Sequence, residues 1–266
     1  MEKIITIIKY FILGMVQGIS EMLPISSSGH MKILERVICI ENEGLTLEIF
    51  FHLASLFSLL VFFAPLLRKL IVNNCLFVFK RKSEYKEDFE YFVKVVLASV
   101  PAAVVGVFLK DKIASVFSDL KYIGVSLLIT SLFLYIAYHC REKYEKLTYK
   151  KSIVIGLFQA LALIPGISRS GSTYMSAKKM GVSSDDTSQF IFLLLIPITI
   201  GSFILSIPDI VNVVSMENII PCCVGFLSAF IFTYLSLSLF NKVMKDKSIY
   251  FSIYCFMVGI LTLTFL

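Results

Sequence analysis

Two short polar clusters interrupt an otherwise apolar chain, and they share one frame. The first, Gln17 to His30, reads QGISEMLPISSSGH, and the second, Gln159 to Thr173, reads QALALIPGISRSGST. Set 142 residues apart, Gly14, Gln17, Ile25, Ser26, Ser28 and Gly29 fall on Gly156, Gln159, Ile167, Ser168, Ser170 and Gly171. The copies differ in chemistry. The first holds Glu21 and His30, whereas the second has Leu163 at the position of Glu21 and Arg169 at the position of Ser27. Ionisable groups in apolar surroundings are costly and usually line a functional cavity. An acid and a histidine from one copy and an arginine from the other predict one site built from both halves.

The medium around that site follows from hydropathy. With 57% hydrophobic residues and a mean hydropathy of +0.84, the chain is no soluble globular domain. Six segments are long enough to cross a bilayer core of roughly 30 Å: Leu45–Leu67, Phe89–Leu109, Lys121–Cys140, Thr187–Ile207, Glu217–Phe240 and Ser248–Leu266. Ile4–Leu23 and Ser152–Pro165 differ, because each carries a Gln and is broken by Pro and Gly before a second short segment. Broken backbone at membrane depth is tolerated only where protein or a water-filled cavity covers it. Ile4–Ile40 and Ser152–Met180 are therefore expected as re-entrant helical hairpins.

Loop charges agree with six spans. Arg68, Lys69, Lys80, Arg81, Lys82 and Lys86 crowd one connection, and Arg141, Lys143, Lys146, Lys150 and Lys151 crowd another. Lys178 and Lys179 follow the second hairpin, and Lys242, Lys245 and Lys247 precede the last span. All four groups fall on one side, which the positive-inside rule makes cytoplasmic. The net charge of +6 is read this way, and no nucleic-acid partner is expected. The expected fold is all-α and integral to the membrane: six transmembrane helices plus two re-entrant hairpins. Residues 1–140 and 141–266 form two half-repeats of one membrane domain. Three spans per half give the halves opposite orientations, an inverted-topology repeat whose hairpin tips meet near the midplane. Eight ordinary crossing helices are the competing arrangement. The six cysteines lack metal-ligand spacing and read as free thiols.

At the tips, serines at helix starts set hydroxyls beside unpaired backbone N–H groups, where the helix dipole favours anions. Ser26, Ser27 and Ser28 do this in one copy; Ser168 and Ser170 do it in the other, beside an arginine able to grip phosphate bidentately. A phosphate fits this cradle, although serines here serve equally as simple caps. Ser27 and His30 lie at i and i+3, hence on one helix face, so that His30 can act on Ser27 as base or acid. Glu21 can orient His30, take a proton, hold a divalent cation or pair with Arg169. Glu48 and His52, at i and i+4, stand open between a supporting role at the site and ordinary membrane hydrogen bonding. Gln159 is expected to bond backbone at the break, and Lys94 to snorkel towards the interface.

Together the two motifs closely resemble those of the undecaprenyl-diphosphate phosphatase family of the bacitracin-resistance type, across essentially the whole chain. The resemblance implies a multi-pass enzyme of the bacterial cell (inner) membrane. Such an enzyme hydrolyses undecaprenyl diphosphate to undecaprenyl phosphate and phosphate, recycling the carrier lipid of peptidoglycan synthesis and conferring bacitracin resistance. By motif position it implies Ser27 as nucleophile, His30 as its associated histidine and Glu21 as the essential acid. Arg169, Ser26, Ser168, Ser170, Thr173 and Gln17 become substrate-binding residues. It also implies a divalent cation, Mg2+ or Ca2+, with Glu21 as ligand. Gln17 stands where many members have Glu, which removes a carboxylate from any paired metal site. The expected partners are the isoprenoid lipid diphosphate and the bilayer, and the chain is compatible with a homodimer. The active site is expected to open to the extracytoplasmic side. A secondary transporter or flippase for an isoprenyl phosphate is the rival reading, since inverted repeats with broken helices are common among transporters.

Overall fold

The computed structural model describes residues 2–40, 44–117, 119–141, 143–213 and 218–265. The expected span starts at Glu217 and ends at Leu266 lie outside the described residues, as do the side chains of Lys242 and Lys245. The described chain is helical, with one isolated bridge between Glu145 and Val182. Helix α1 (Glu2–Met22) is followed after a short break by α2 (Ser27–Val37). Helices α3 (Gly44–Phe62), α4 (Ala64–Lys80), α5 (Lys86–Val116) and α6 (Leu120–His139) complete the first half. The second half holds α7 (Tyr149–Leu161), α8 (Arg169–Lys179), α9 (Ser184–Val213) and α10 (Ile219–Phe265).

Among the described residues, six helices are long and apolar enough to cross a membrane, or seven if one bent pair counts as a span. They are not quite the expected six. Lys3–Met22 qualifies on length and composition, whereas Leu45–Leu67 is not one straight helix: the chain bends by 76° between Phe62 and Ala64 and continues as α4, a pair that is either a broken span or a re-entrant loop. Pro65 explains the bend, because at the start of α4 its missing N–H costs nothing there but interrupts the helix before it. The connection read as a basic loop, from Arg68 to Lys86, is thus mostly helix. Large apolar side chains face outward on many helices, among them Ile4, Phe79, Val107 and Phe265. In water such a surface would aggregate; against lipid it is the expected exterior.

The interior is held by close backbone approach and by hydroxyls. A Cβ on Gly14 would stand 2.1 Å from the carbonyl oxygen of Gly225, and one on Gly156 would stand 2.3 Å from that of Ala98. Repeat-equivalent glycines therefore let α1 touch α10 and α7 touch α5. Small residues bring membrane helices together in this manner, where no hydrophobic force separates helix from lipid. Between α6 and α10, Ser131 Oγ donates to the Ser252 carbonyl (2.7 Å) and Ser252 Oγ returns the bond to that of Ser131 (2.8 Å).

The two helix breaks meet. Ser170 Oγ donates to the Leu23 carbonyl (3.2 Å), and the Gly166 amide donates to Ser28 Oγ (3.3 Å). Thr130 of α6 buttresses the second break: its Oγ1 donates to the Gly166 carbonyl and accepts from the Ser168 amide, both at 2.9 Å. Gly166, at φ +92°, permits this turn, and a Cβ there would lie 2.6 Å from that of Ser126.

Candidate active site

Each break ends in the same cap. Ser26 Oγ accepts from the Gly29 amide (3.3 Å) at the start of α2, and Ser168 Oγ accepts from the Gly171 amide (3.1 Å) at the start of α8. The capping reading of these serines is therefore correct, and it does not compete with a site. The amino ends of both helices open onto one cavity of about 220 Å³, lined by Ser26, Ser27 and Ser28 from one and Ser168, Arg169 and Ser170 from the other. Positive dipole ends and hydroxyls thus converge from both halves. Ser26 holds φ 73°, a left-handed conformation uncommon outside glycine, so the first tip is a strained turn.

Glu21, at the end of α1, is the hub. Its Oε2 accepts from Ser27 Oγ (2.6 Å) and from Gln17 Nε2 (3.1 Å), and lies 2.9 Å from His52 Nδ1. Its Oε1 accepts from Arg169 Nη2 (3.2 Å), while Arg169 Nη1 donates to the Ile191 carbonyl (3.2 Å). The carboxylate is nearly buried and so is the guanidinium, a pairing that compensates the loss of water around both. Gln17 Nε2 also lies 2.9 Å from His52 Nδ1, and its Oε1 is buried with no hydrogen-bond partner among the described residues.

His30 stands elsewhere. Its Nδ1 lies 2.8 Å from the Ser26 carbonyl, its Nε2 lies 2.8 Å from Tyr254 Oη, and its ring stacks on that tyrosine. Ser27 and His30 are three positions apart on α2, but Ser27 is committed to α1 and His30 to α10. The expected Ser27–His30 pair is therefore not formed. The histidine against the serine's carboxylate is His52, whose Nε2 also faces Glu48 Oε1 at 3.4 Å. Both Glu48 and His52 line the cavity. An acid and a histidine at i and i+4 on an apolar helix were the signal for them. Tyr254 had none.

The remaining expected residues divide. Ser168 Oγ and Ser170 Oγ are 3.2 Å apart at the cavity wall. Thr173 is buried within α8, and its Oγ1 donates to the Arg169 carbonyl (2.6 Å), so it braces the arginine's backbone. Gln159 Nε2 donates to the Ala98 carbonyl of α5 at 3.5 Å, across to another helix. Lys94 Nζ sits 5.2 Å from the Tyr149 ring centre, a cation–π contact.

The donor set does not fit a protein-held divalent cation. Both Glu21 oxygens already accept from cationic or hydroxyl donors, and among the described residues no three His, Cys, Asp or Glu side chains are grouped to hold a metal ion. Hard cations require several oxygens at about 2.0–2.6 Å.

Residues 10–261 match the family model described as Bacitracin resistance protein BacA. The chain belongs to the BacA family. It is 40% identical over 270 residues to undecaprenyl-diphosphatase 1 of Bacillus cereus, with both chains covered in full. It is 42% identical over 271 residues to the undecaprenyl-diphosphatase of Oceanobacillus iheyensis, covering all of this chain and 98% of that one. The match to undecaprenyl-diphosphatase 1 of Bacillus licheniformis is 36% over 266 residues, 98% of each chain. The BacA match runs through both serine-rich tips and every helix that supports them.

Proposed function

We propose that the chain hydrolyses undecaprenyl diphosphate to undecaprenyl phosphate and inorganic phosphate, recycling the carrier lipid of peptidoglycan synthesis and thereby conferring bacitracin resistance. The observation that carries this reading is the hydroxyl of Ser27 donating to Glu21 Oε2 at 2.6 Å, where two helix amino ends face one cavity. A nucleophile already bonded to a base, beside an arginine and an anion cradle, suits phosphoryl transfer, in which positioning and charge stabilisation supply most of the acceleration.

In the proposed sequence the terminal phosphate lies at the amino ends of α2 and α8. Two of the five N–H donors of Arg169 are used in the resting site, which leaves others for phosphate oxygens. Ser27 Oγ attacks the terminal phosphorus and its proton passes to Glu21 Oε2. The bond from phosphorus to the bridging oxygen breaks, and undecaprenyl phosphate leaves with the electron pair. Water then attacks the phosphoserine, phosphate departs, and Ser27 Oγ regains a proton. Ser26, Ser168 and Ser170 bind phosphate oxygens; Gln17 holds Glu21. Thr173 and His30 are positioning residues, the latter because it fixes the carbonyl of the strained Ser26. A divalent cation, Mg2+ or Ca2+, would neutralise charge on the diphosphate oxygens; Glu21, engaged with Ser27 and Arg169, would not be free to hold it.

The finer topology belongs to the same reading. The α1–α2 and α7–α8 units are re-entrant hairpins of an inverted repeat, with the cavity opening to the extracytoplasmic side. Supporting it, α1 packs on α10 as α7 packs on α5, through glycines equivalent in the repeat. A homodimer is compatible with the apolar exterior. Phosphate release from a long-chain isoprenyl diphosphate by purified protein in detergent tests the function. Release lost in Ser27→Ala, Glu21→Ala and Arg169→Ala supports it. A wild type that binds the lipid and releases nothing overturns it in favour of transport.

A further inference from the structure

The cavity at the helix tips has a second, apolar end. Beyond the serines and Arg169 it continues between α5 and α9, where Gly106, Ile113, Leu163, Ile198 and Leu205 form its wall. Both helices begin beside basic residues, Arg81 and Lys82 ahead of α5 and Lys178 and Lys179 ahead of α9. The groove follows their second halves, away from those charges. Gly106 and Ile113 stand two turns apart, about 10 Å along α5. Leu205 lines the groove and is 48% exposed, next to the outward-facing Ile204, so the groove opens at the lipid-facing surface. On α9 the hydroxyls of Thr199, Ser202 and Ser206 interleave with Ile198 and Leu205, so the fully apolar side is that of α5 and Leu163.

Two features of that side have no explanation in packing. Gly106 lies inside α5, where glycine is less stable than alanine. Unlike Gly14 and Gly156 it touches no other helix's backbone: within 4 Å a Cβ there would meet Leu163 Cδ1 alone, at 3.9 Å. What the missing side chain leaves is width in the groove. Leu163, in turn, holds in the second tip the position that Glu21 holds in the first. The repeat thus faces one cavity with a carboxylate from one tip and an isobutyl group from the other.

We propose that this groove holds the first isoprene units of the lipid tail, which passes from the bilayer between α5 and α9, and that Gly106 and Leu163 set its width. The two tips then divide an amphipathic substrate. Glu21, Ser27 and Arg169 take the diphosphate end, and Leu163 with Gly106 takes the hydrocarbon beside it. A methyl-branched chain needs more width than a straight one, and a side chain at position 106 would remove it. Burying the first apolar units holds the headgroup at the tips with binding energy from a part of the lipid that does not react. This deepens the hydrolase reading and rests on it for the identity of the headgroup.

The test uses the purified full chain in detergent. A long-chain isoprenyl monophosphate with a photoreactive group on its first isoprene unit should label α5 between Gly106 and Ile113 and α9 between Ile198 and Leu205. Gly106→Leu should abolish that label while melting no lower than wild type, and Leu205→Trp, at the mouth, should weaken it. In turnover, both variants should raise KM for the long-chain diphosphate about tenfold or more with little change in kcat. Labelling confined to other helices overturns the proposal. So do folded Gly106→Leu and Leu205→Trp chains that keep the wild-type label and KM. If the label appears and is lost as described while wild type releases no phosphate, the groove stands and the hydrolase reading alone falls.

Discussion

Ser27 and Glu21 face each other across the break between α1 and α2, hydroxyl to carboxylate at 2.6 Å. In the proposed reaction that pairing casts Ser27 as the nucleophile and Glu21 as the acceptor of its proton. Acid-quenched turnover of a substrate labelled in its terminal phosphate should trap labelled phosphoserine in wild type and none in Ser27→Ala. Glu21→Gln should keep the hydrogen bond and lose at least about a hundredfold in kcat, the loss expected of a missing general base. Full activity in Ser27→Ala would sink the assignment.

Arg169 spends two donors in directions that a lysine cannot serve together, the Ile191 carbonyl and Glu21 Oε1. Arg169→Lys keeps the charge but loses the fork. It should raise KM and lower kcat by roughly ten- to hundredfold, and it should lower the melting temperature because part of a buried pair is broken. Steady-state kinetics beside thermal melting separate the two effects.

His30 and Tyr254 should behave as a pair. His30→Gln and Tyr254→Phe are each expected to destabilise the tip modestly. In a double-mutant cycle they should show an interaction energy of about 0.5–1.5 kcal/mol in stability. If His30 instead acted on Ser27, His30→Gln would abolish turnover while Tyr254→Phe left it unchanged, an outcome that kcat measured on both variants reveals at once.

Gly14→Val and Gly156→Val test the helix contacts that carry the tips. Each added side chain meets backbone within about the first ångströms, at Gly225 and Ala98. Overpacking of this kind costs roughly 1–3 kcal/mol or more. Both variants should melt earlier and lose activity together, whereas Gly201→Ala, where nothing lies within 4 Å, should change neither.

Much of this site could be read from residues alone, and the reason is local. The serine caps, the breaks at Pro24 and Pro165, and the pairing of Glu21 with Arg169 follow from motif spacing and from the cost of charge in an apolar chain. The partner of His30 could not be read. A helix face says which residues travel together, but not which neighbour each meets, and Tyr254 lies 224 residues away. His52 was ambiguous for a related reason, because α3 contributes it from outside the repeated frame. The bend at Phe63 was hidden by an apolar run that continues unbroken on either side of it.

The grip of α10 on α1 also has a meaning for how the molecule is made. The helix bearing Gln17 and Glu21 rests on Gly225 and Ala229, residues synthesised about two hundred positions later. At roughly 5–20 residues per second, the first tip waits on the order of ten to forty seconds for its support. Until then Glu21 has no settled environment, and the nascent chain carries a buried-type acid with nowhere to bury it. The contacts that place Glu21 are complete only once Gly225 and Ala229 have been made, so the candidate site forms late and in one step rather than growing with the chain.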